Sequence, residues 1–440
     1  MTVAFKRTTS VCPVCLKTIE AEIAVGDDNN IHMMKTCSLH GSFDTLIWEG
    51  NVISYLQWAE EDQEGIAPET AIPANKGCPQ DCGLCQNHRS EACCVLLELT
   101  SRCNLHCPVC FASAKQEGTD LPLSEIKRQY DLLTEHGGPY NIQLSGGEPT
   151  LRDDLDQIIQ YGKERGFTYF QLNTNGLRIA EEEGYAEWLK KIGVSCVFLQ
   201  FDTLNDEVYE ILRGKALVNI KQRAVNACIE AGLPIVLVPV IVPGINEEEI
   251  GSILAYAMQY HPHVRGVHFQ PVSYFGRVNL PQEHKRITIP KMLTEIEKQT
   301  EGKLKTTDFS GGGAESPYCS FHASYRRKAD GTWKALQKKK RCCCAMPSSE
   351  AMQFVSRQWG KEETEHDDVC GTETSSLDLF LKQAVEDTFT VSGMLFQDAW
   401  NLDLQRLKRC YICEADSERG MIPFCAYNLT DCNGKALYRK

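Results

Sequence analysis

Cys103-Asn104-Leu105-His106-Cys107-Pro108-Val109-Cys110 follows directly on a strand-like run of the chain, Val95-Leu96-Leu97-Glu98-Leu99-Thr100. The three cysteines have the spacing CxxxCxxC, which supplies three thiolates to a four-iron cluster and leaves the fourth iron without a protein ligand. Paired CxxC zinc ribbons differ, because four ligands close a tetrahedron there. The stretch therefore predicts a cluster with one iron open to a substrate or cofactor, placed at the end of a strand.

The composition is that of a soluble globular protein. The 440 residues are 42% hydrophobic and 24% charged, and the length allows one large domain with appendages or two to three domains. A formal net charge of −13 disfavours nonspecific binding to nucleic acid or to an anionic membrane surface. No apolar run reaches the 18 residues of a membrane-spanning helix. We expect no nucleic-acid partner and no transmembrane segment.

Twenty-two cysteines are too many for an ordinary cytosolic protein. A secreted disulfide scaffold is one explanation, but the start of the chain, Met1-Thr2-Val3-Ala4-Phe5-Lys6-Arg7, has no apolar signal region. The cysteines also cluster at spacings typical of metal ligands. We therefore expect metal binding in a reducing cytoplasm.

Residues 1–50 form a small metal-binding unit in this interpretation. Cys12 and Cys15 lie in a CPxC turn, and Cys37 and His40 lie in a CxxHG turn. Three thiolates and one imidazole make a closed tetrahedral set, as in a zinc ribbon or a rubredoxin-like knuckle. Spacing alone does not choose between zinc and iron. Residues 51–94 form a connector that repeats the CxxxCxxC spacing at Cys78, Cys82 and Cys85.

Residues 95–275 alternate between strand-like and helix-like segments. The strand-like runs are 95–100, 140–145, 168–173, 195–201, 234–242 and 264–270. The helix-like segments are 123–136, 153–166, 181–192, 206–231 and 247–260. Six βα units in succession predict a parallel sheet with helices outside, closing as a partial (β/α)6 TIM barrel whose chemistry sits at the C-terminal strand ends. Residues 276–440 are less regular and again rich in cysteine.

Polar motifs follow the predicted strands one after another. The second strand ends in Ser145-Gly146-Gly147-Glu148-Pro149, the third in Asn173-Thr174-Asn175-Gly176, and the fourth in Gln200-Phe201-Asp202. Two glycines after a strand allow the backbone to approach a ligand closely. Each motif alone is a weak signal. Their order after the cysteine triplet is a strong one.

This order of motifs resembles the radical S-adenosylmethionine (SAM) superfamily over about residues 95–275. The resemblance implies reductive cleavage of SAM at a [4Fe–4S] cluster to a 5′-deoxyadenosyl radical, which activates a C–H bond. It also implies roles for individual residues. Cys103, Cys107 and Cys110 would ligate the cluster, and Gly146, Gly147 and Glu148 would contact the methionine amino group of SAM. The backbone of Val109 would lie near the adenine, and Asn173 and Gln200 would contact the methionine or the ribose.

The flanking motifs resemble the superfamily branch that contains archaeal tetraether lipid synthase, earlier described as a pterin-directed methylase. Four segments show this resemblance: the N-terminal knuckle and the stretches Gly77-Cys78-Pro79-Gln80-Asp81-Cys82-Gly83-Leu84-Cys85, Phe396-Gln397-Asp398-Ala399-Trp400-Asn401 and Ile422-Pro423-Phe424-Cys425-Ala426-Tyr427-Asn428. The pair Cys93-Cys94, the run Cys342-Cys343-Cys344 and Cys413 depart from the archaeal pattern and resemble the bacterial TrsS-type (seleno)protein subgroup. The branch implies two auxiliary clusters beside the SAM cluster.

The auxiliary ligands remain open. A closed cluster on Cys78, Cys82 and Cys85 needs a fourth ligand, for which Cys425 is the first candidate. A second cluster would draw on Cys319, Cys410 and Cys413 with one cysteine of 342–344.

The function predicted is that of a cytoplasmic radical SAM enzyme for carbon–carbon coupling, methylation or carbon–sulfur chemistry. Its reductant would be a ferredoxin or flavodoxin, and its substrate a lipid, a cofactor such as a pterin, or a peptide. A peptide-modifying maturase is the alternative within the enzyme class. A noncatalytic iron–sulfur scaffold or redox sensor is the alternative outside it, disfavoured by the intact Gly146-Gly147-Glu148-Pro149.

Overall fold

The structure is a computed structural model that describes most of the chain. The described residues are 3–60, 62, 73–280, 285–312, 314–328, 330–336, 347–360 and 387–439. The cysteines at 342–344 and 370, the first of which were considered as cluster ligands, lie outside them.

The N-terminal unit is a four-stranded antiparallel meander in which each strand pairs with the next. Its strands are β1 (Val3–Val11), β2 (Thr18–Val25), β3 (Ile31–Cys37) and β4 (Gly41–Trp48). In β3 the buried positions alternate with less buried ones, as expected of a sheet with one covered face. A short helix, α1 (Val52–Trp58), follows and begins at Asn51, whose side chain accepts a hydrogen bond from Ser54 N at 2.9 Å.

Six parallel strands form the centre of the molecule, and they pair in chain order. They are β5 (Cys94–Thr100), β7 (Asn141–Gly146), β8 (Phe170–Thr174), β9 (Cys196–Gln200), β10 (Ile235–Val238) and β12 (Val264–Pro271). The short strands β6 (Val109–Cys110) and β11 (Val240–Ile241) lie between them in the chain. The predicted six-stranded partial barrel is confirmed.

Helices connect the strands and cover the outside of the sheet. They are α2 (Leu123–Glu135), α3 (Leu155–Glu164), α4 (Leu177–Glu181), α5 (Tyr185–Ile192), α6 (Asp206–Arg213), α7 (Val218–Ala231) and α8 (Ile250–Gln259). The buried side of α3 is formed by Leu155, Ile158, Ile159 and Gly162, the spacing of one helical face. A Cβ on Gly162 would lie 2.8 Å from the Phe170 ring, so this glycine lets α3 pack directly on β8.

Two predicted helices are wrong in their extent. The segment 181–192 contains the end of α4, and α5 begins only at Tyr185. The segment 206–231 was expected to be continuous, but it divides into α6 and α7. The break falls at Gly214, which ends α6 in the left-handed conformation at φ 75°. The carboxylate of Asp206 then accepts the backbone N–H groups of Leu217 and Val218 at 2.8 Å, which aligns the start of α7.

The C-terminal region extends the same sheet at both edges. The remaining strands are β13 (Arg277–Val278), β14 (Ser320–Arg327), β15 (Trp333–Ala335), β16 (Thr388–Met394), β17 (Ile412–Asp416) and β18 (Gly420–Pro423). The remaining helices are α9 (Ile289–Gln299), α10 (Ser348–Trp359), α11 (Leu404–Leu407) and α12 (Phe424–Tyr427). Strand β16 pairs in parallel with β12 and carries β14 and β15, while β17 pairs in parallel with β5 and carries β18.

The sheet stays open, since no pairing joins its two edge strands, β15 and β18, within the described ranges. In those ranges no helix has the length and apolar character needed to cross a membrane.

Candidate functional site

The C-terminal ends of the central strands surround a cavity of about 250 Å³. Its walls contain all nine residues that the sequence assigned to SAM and its cluster. They are Cys103, Cys107, Val109, Cys110, Gly146, Gly147, Glu148, Asn173 and Gln200. Residues spread over about 100 positions of the chain therefore meet in one place. Their individual roles as ligands stay predictions.

Backbone contacts hold the loop that carries the three cysteines. Cys103 N donates to Lys115 O at 2.9 Å, and β6 pairs with β13. The guanidinium of Arg277 donates to Cys107 O at 2.8 Å and to Ala114 O at 2.9 Å. These hydrogen bonds thus fix the backbone of the loop on both sides, while its cysteines line the cavity.

The chemistry of these thiols fits a metal cluster. Burial raises the pKa of the Cys103 thiol to about 12, so without a cation it stays protonated at neutral pH. A bound cation reverses this preference and stabilises the thiolate. Three half-buried thiols at the wall of a cavity thus match the donor set of a cluster with one open iron.

The glycine pair packs against the start of the cysteine loop. Gly147 N donates to Thr100 O at 2.7 Å, and Glu148 N donates to Arg102 O at 2.8 Å. A Cβ on Gly147 would lie 2.0 Å from Arg102 O, and one on Gly146, where φ is +114°, would lie 2.4 Å from Thr100 O. Side chains at either position would push the two loops apart.

The carboxylate of Glu148 ties the second motif to the third. It accepts hydrogen bonds from Thr150 Oγ1 at 2.7 Å, Thr174 Oγ1 at 2.6 Å and Asn175 N at 2.7 Å, and it is 1% exposed. The side chain is therefore already engaged by the chain. Its contact with a methionine amino group stays a prediction.

Two buried cations adjoin the site, and sequence analysis missed both. Arg213 forms a bidentate pair with Asp202, at 2.7 and 2.8 Å, and donates to Val109 O at 3.3 Å. Lys221 donates to Gln200 Oε1 at 3.0 Å, and burial lowers its pKa to about 8. Both lie in helices with ordinary surface-like sequences, so no local signal marks them.

The predicted N-terminal metal ligands also come together. One ligand atom each from Cys12, Cys15, Cys37 and His40 lies within 4.8 Å of the others. His40 Nδ1 is 3.4 Å from Cys12 Sγ and 3.5 Å from Cys37 Sγ. A backbone hydrogen bond from Leu39 lowers the pKa of Cys37 to about 6, which favours the thiolate that metal binding requires. The geometry fits a tetrahedral metal ion.

Comparisons with known proteins agree with both sites. The model of the radical SAM superfamily matches residues 97–257, and that of the HMPTM N-terminal zinc ribbon domain matches residues 4–49. The 7,8-dihydro-6-hydroxymethylpterin dimethyltransferase of Methanocaldococcus jannaschii is 32% identical over 96% of this chain and 93% of its own. The chain belongs to the radical SAM superfamily. It is accordingly an enzyme that uses a [4Fe–4S] cluster and SAM, and its N-terminal unit is a metal-binding zinc ribbon.

Other relatives of this radical SAM enzyme share part of its length. The GTP 3′,8-cyclase of Petrotoga mobilis is 27% identical over 53% of this chain and 78% of its own. The Fe-coproporphyrin III synthase of Methanosarcina barkeri is 33% identical over 38% of this chain and 44% of its own. Among solved structures, Streptococcus suis SuiB bound to its precursor peptide SuiA covers 68% of this chain and 69% of its own, at 14% identity and a TM-score of 0.40.

The auxiliary cysteines of the radical SAM enzyme form a second group, beside the barrel. Cys78 interacts with Cys82 and Cys85, and the hydrogen bond with Cys82 lowers the pKa of Cys78 to about 7. Cys410 and Cys425 contact each other, and Cys410 also lies near Cys82. The sequence had placed Cys410 and Cys425 in different clusters, whereas the structure places them side by side.

The other two auxiliary candidates have different surroundings. Cys319 Sγ accepts a hydrogen bond from Arg406 Nη2 at 3.3 Å. Cys319 lies close enough to Cys425 that negative charge on its sulfur contributes to the raised pKa of Cys425. Cys413 lies in β17 as part of the main hydrophobic core. Its role as a cluster ligand, like that of the other six auxiliary cysteines, stays a prediction.

Proposed function

We propose that this radical SAM enzyme methylates a carbon of a pterin-like ring. The carrying observation is the similarity to the dimethyltransferase of M. jannaschii, which spans nearly the whole of both chains. It includes the zinc ribbon and the C-terminal region, which are the parts that distinguish this chain from a bare barrel. The aromatic walls of the cavity suit a flat ring.

In this proposal Cys103, Cys107 and Cys110 hold the SAM cluster. The cluster would supply the electron that cleaves one SAM to methionine and the 5′-deoxyadenosyl radical for hydrogen abstraction. A second SAM would supply the methyl group and leave as S-adenosylhomocysteine, with the two electrons of the overall reaction coming from the reductant. The glycine pair lets the loop after β7 pack directly on the cysteine loop, and the hydrogen bonds of Glu148 connect that loop to the end of β8. Arg213 holds the backbone of Val109, where the adenine is expected.

The remaining metal centres complete the proposal. The N-terminal unit binds zinc through Cys12, Cys15, Cys37 and His40, because its fold and donor set are those of a zinc ribbon. An auxiliary cluster is held by Cys78, Cys82 and Cys85, with Cys410 or Cys425 as fourth ligand, because these five thiols are neighbours. A ferredoxin or flavodoxin delivers the electrons.

The test is anaerobic reconstitution followed by product analysis. With dithionite, SAM and 6-hydroxymethyl-7,8-dihydropterin, the wild-type enzyme is expected to form 5′-deoxyadenosine and a pterin heavier by one or two methyl groups. Cys107→Ala should form neither and should keep its zinc, whereas Cys12→Ala should lose zinc and keep barrel iron. Formation of 5′-deoxyadenosine without any pterin product would reject the substrate. Loss of both metals in each variant would reject the separate sites.

A further inference from the structure

The cavity at the strand ends is also lined by β12. His268 and Gln270 stand two residues apart on this strand, and both line the cavity. Residues i and i+2 of a strand point to the same face, so the two side chains project side by side. No role was assigned to either residue from the sequence, in which a lone histidine has no paired motif.

These two side chains differ from Asn173 and Gln200, two other amides of the cavity, which hydrogen-bond within the chain. Asn173 Nδ2 donates to Gln143 Oε1 at 3.0 Å, and Asn173 Oδ1 accepts from Gln171 at 2.7 Å. Gln200 lies between Lys221 and Asp202. His268 uses only Nδ1, which is 2.9 Å from Ser392 Oγ on β16.

Gln270 has no side-chain hydrogen bond, and His268 none at Nε2, to any residue that the structure describes. One imidazole nitrogen and one carboxamide are thus free at the cavity wall. The contact with Ser392 engages Nδ1, which leaves Nε2 as the ring nitrogen available to a ligand.

The edge that they form is uncharged. Burial lowers the pKa of His268 to about 4, so the ring is neutral at physiological pH. Among the described residues, the formally charged side chains that line the cavity are Glu148, which accepts from Thr150, Thr174 and Asn175, and Arg213, which pairs with Asp202. Since neither offers a free charge, this described lining does not neutralise a phosphate or a carboxylate on a substrate.

The surrounding walls are aromatic. The ring of Phe198 lies 6.0 Å from the His268 ring, and Phe396 and Phe424, which also line the cavity, are 4.3 Å apart. An apolar cavity with a few free polar groups at one edge is the usual form of a site for a flat, uncharged ligand.

We propose that His268 and Gln270 are the substrate-recognition pair of this enzyme and bind the hydrogen-bonding edge of a neutral bicyclic nitrogen heterocycle. This rests on the proposed function, whose substrate class it narrows. The carboxamide offers one donor and one acceptor, and the imidazole Nε2 offers the third contact. A ring carrying adjacent carbonyl, N–H and amino groups matches this set, and a nucleoside triphosphate does not.

The experiment is anaerobic equilibrium binding to the reconstituted enzyme in the presence of SAM. The probes are 6-hydroxymethyl-7,8-dihydropterin, guanosine and GTP. The variants are His268→Leu, Gln270→Leu and the conservative His268→Gln. His263→Leu and Gln259→Leu are matched controls, since both side chains are exposed and lie outside the cavity. Circular dichroism and the N-terminal zinc content show that each variant is folded, and the dissociation constant of SAM reports damage to the neighbouring site.

We expect the wild type and both controls to bind the dihydropterin. Each leucine variant should bind it about tenfold more weakly, His268→Gln should recover part of the loss, and GTP should not bind. Wild-type affinity for the pterin in both leucine variants would overturn the inference and leave the proposed function standing. Binding of guanosine but not of the pterin, with loss in both variants, would reject the proposed substrate and uphold the recognition pair. Tight binding of GTP, or no binding of either neutral ring by the wild type, would overturn the inference.

Discussion

The side-chain amide of Asn175 donates a hydrogen bond to Asn104 Oδ1 at 2.7 Å. It connects the turn after β8 to the loop that carries the three cysteines, 71 residues earlier in the chain. Asn175 N also donates to Glu148, so three strand-end motifs form one hydrogen-bonded unit. Each motif follows the end of a parallel strand, so all three meet at the C-terminal edge of the sheet.

Asn104→Ala should loosen this unit. The substitution removes the acceptor for Asn175 and changes little else, and one net hydrogen bond is worth about 1 kcal/mol, a five- to tenfold effect on an equilibrium. We expect a decrease of that size in the rate of 5′-deoxyadenosine formation under dithionite, with iron content falling by a smaller factor. Asn433→Ala, at an exposed position, is the control. An unchanged rate in Asn104→Ala would show that the cysteine loop needs no support from the β8 turn.

Gly147→Ala should separate SAM binding from folding. The added Cβ would lie 2.0 Å from Arg102 O, so the glycine loop has to move away from the cysteine loop. We expect SAM affinity to fall at least tenfold while the protein stays folded. The measurement is equilibrium binding of SAM to the reconstituted cluster. In Gly166→Ala the new Cβ has nothing within 4 Å, although φ is +86°, so that variant should lose about 1 kcal/mol of stability and no SAM affinity. Equal affinities in the two variants would contradict the role of the close approach.

Structural features that depend on a short stretch of sequence were predicted better than those that depend on distant segments. Five of the six barrel strands were predicted with boundaries within about two residues, because each is a largely apolar run between turn residues, as at 196–200. The fifth, predicted at 234–242, ends at Val238, and the short strand β11 (Val240–Ile241) follows it. The grouping of the four predicted N-terminal ligands was foreseeable because each half of the site is a short turn. The division of 206–231 was missed because Gly214 alone does not reveal a C-terminal cap in a long helical pattern.

Which distant segments of the chain pair with one another could not be predicted from the sequence. The pairing of β16 with β12 and of β17 with β5 joins segments more than 100 residues apart, and no local pattern specifies it. The contact of Cys410 with Cys425 instead accompanies the hairpin of β17 with β18, which pairs Cys413 with Pro423. Arg213 and Lys221 were not predicted as site residues, although both are buried beside the site, because no local pattern marks them.

Removing one member of the buried ion pair of Asp202 and Arg213 should lower the free energy of unfolding more than replacing both members. Their side chains are 0% and 6% exposed, and Asp202 also accepts Val240 N at 2.9 Å. Arg213→Met leaves a buried carboxylate without its cation, which costs about 3 to 5 kcal/mol. Adding Asp202→Asn removes that charge, so the double variant should be more stable than Arg213→Met alone. Urea unfolding measures each free energy.

The control for this cycle is the exposed pair of Arg165 and Asp131, 39% and 42% exposed. Loss of an exposed pair typically costs less than 1 kcal/mol, so Arg165→Met and its double variant with Asp131→Asn should lie close to the wild type. Additive effects in the cycle of Asp202 and Arg213 would mean that the buried pair is not energetically coupled.

His261 should make the stability of the enzyme depend on pH. Its ring packs edge-on against Trp333 and Phe389, with centroids 5.1 and 6.1 Å away, and it is buried. Burial, followed by the charge of Arg265, lowers its pKa to about 4 from the value of 6.5 expected in the unfolded chain. Between these two values the unfolded state binds more protons than the folded state, so the free energy of unfolding falls as the pH decreases through this window. From pH 7 to pH 5 the loss due to this residue is about 2 kcal/mol.

His261→Phe keeps the aromatic packing and removes the titrating group. Its free energy of unfolding should therefore decrease less than that of the wild type between pH 7 and pH 5, by about 2 kcal/mol. Urea midpoints at several pH values measure the difference, and they separate this residue from other titrating groups because those are common to both proteins. His263→Ala, two residues away and exposed, should keep the wild-type slope. Parallel pH profiles for the wild type and His261→Phe would show that His261 titrates alike in the folded and unfolded chains, and that its burial between the two rings carries no electrostatic cost.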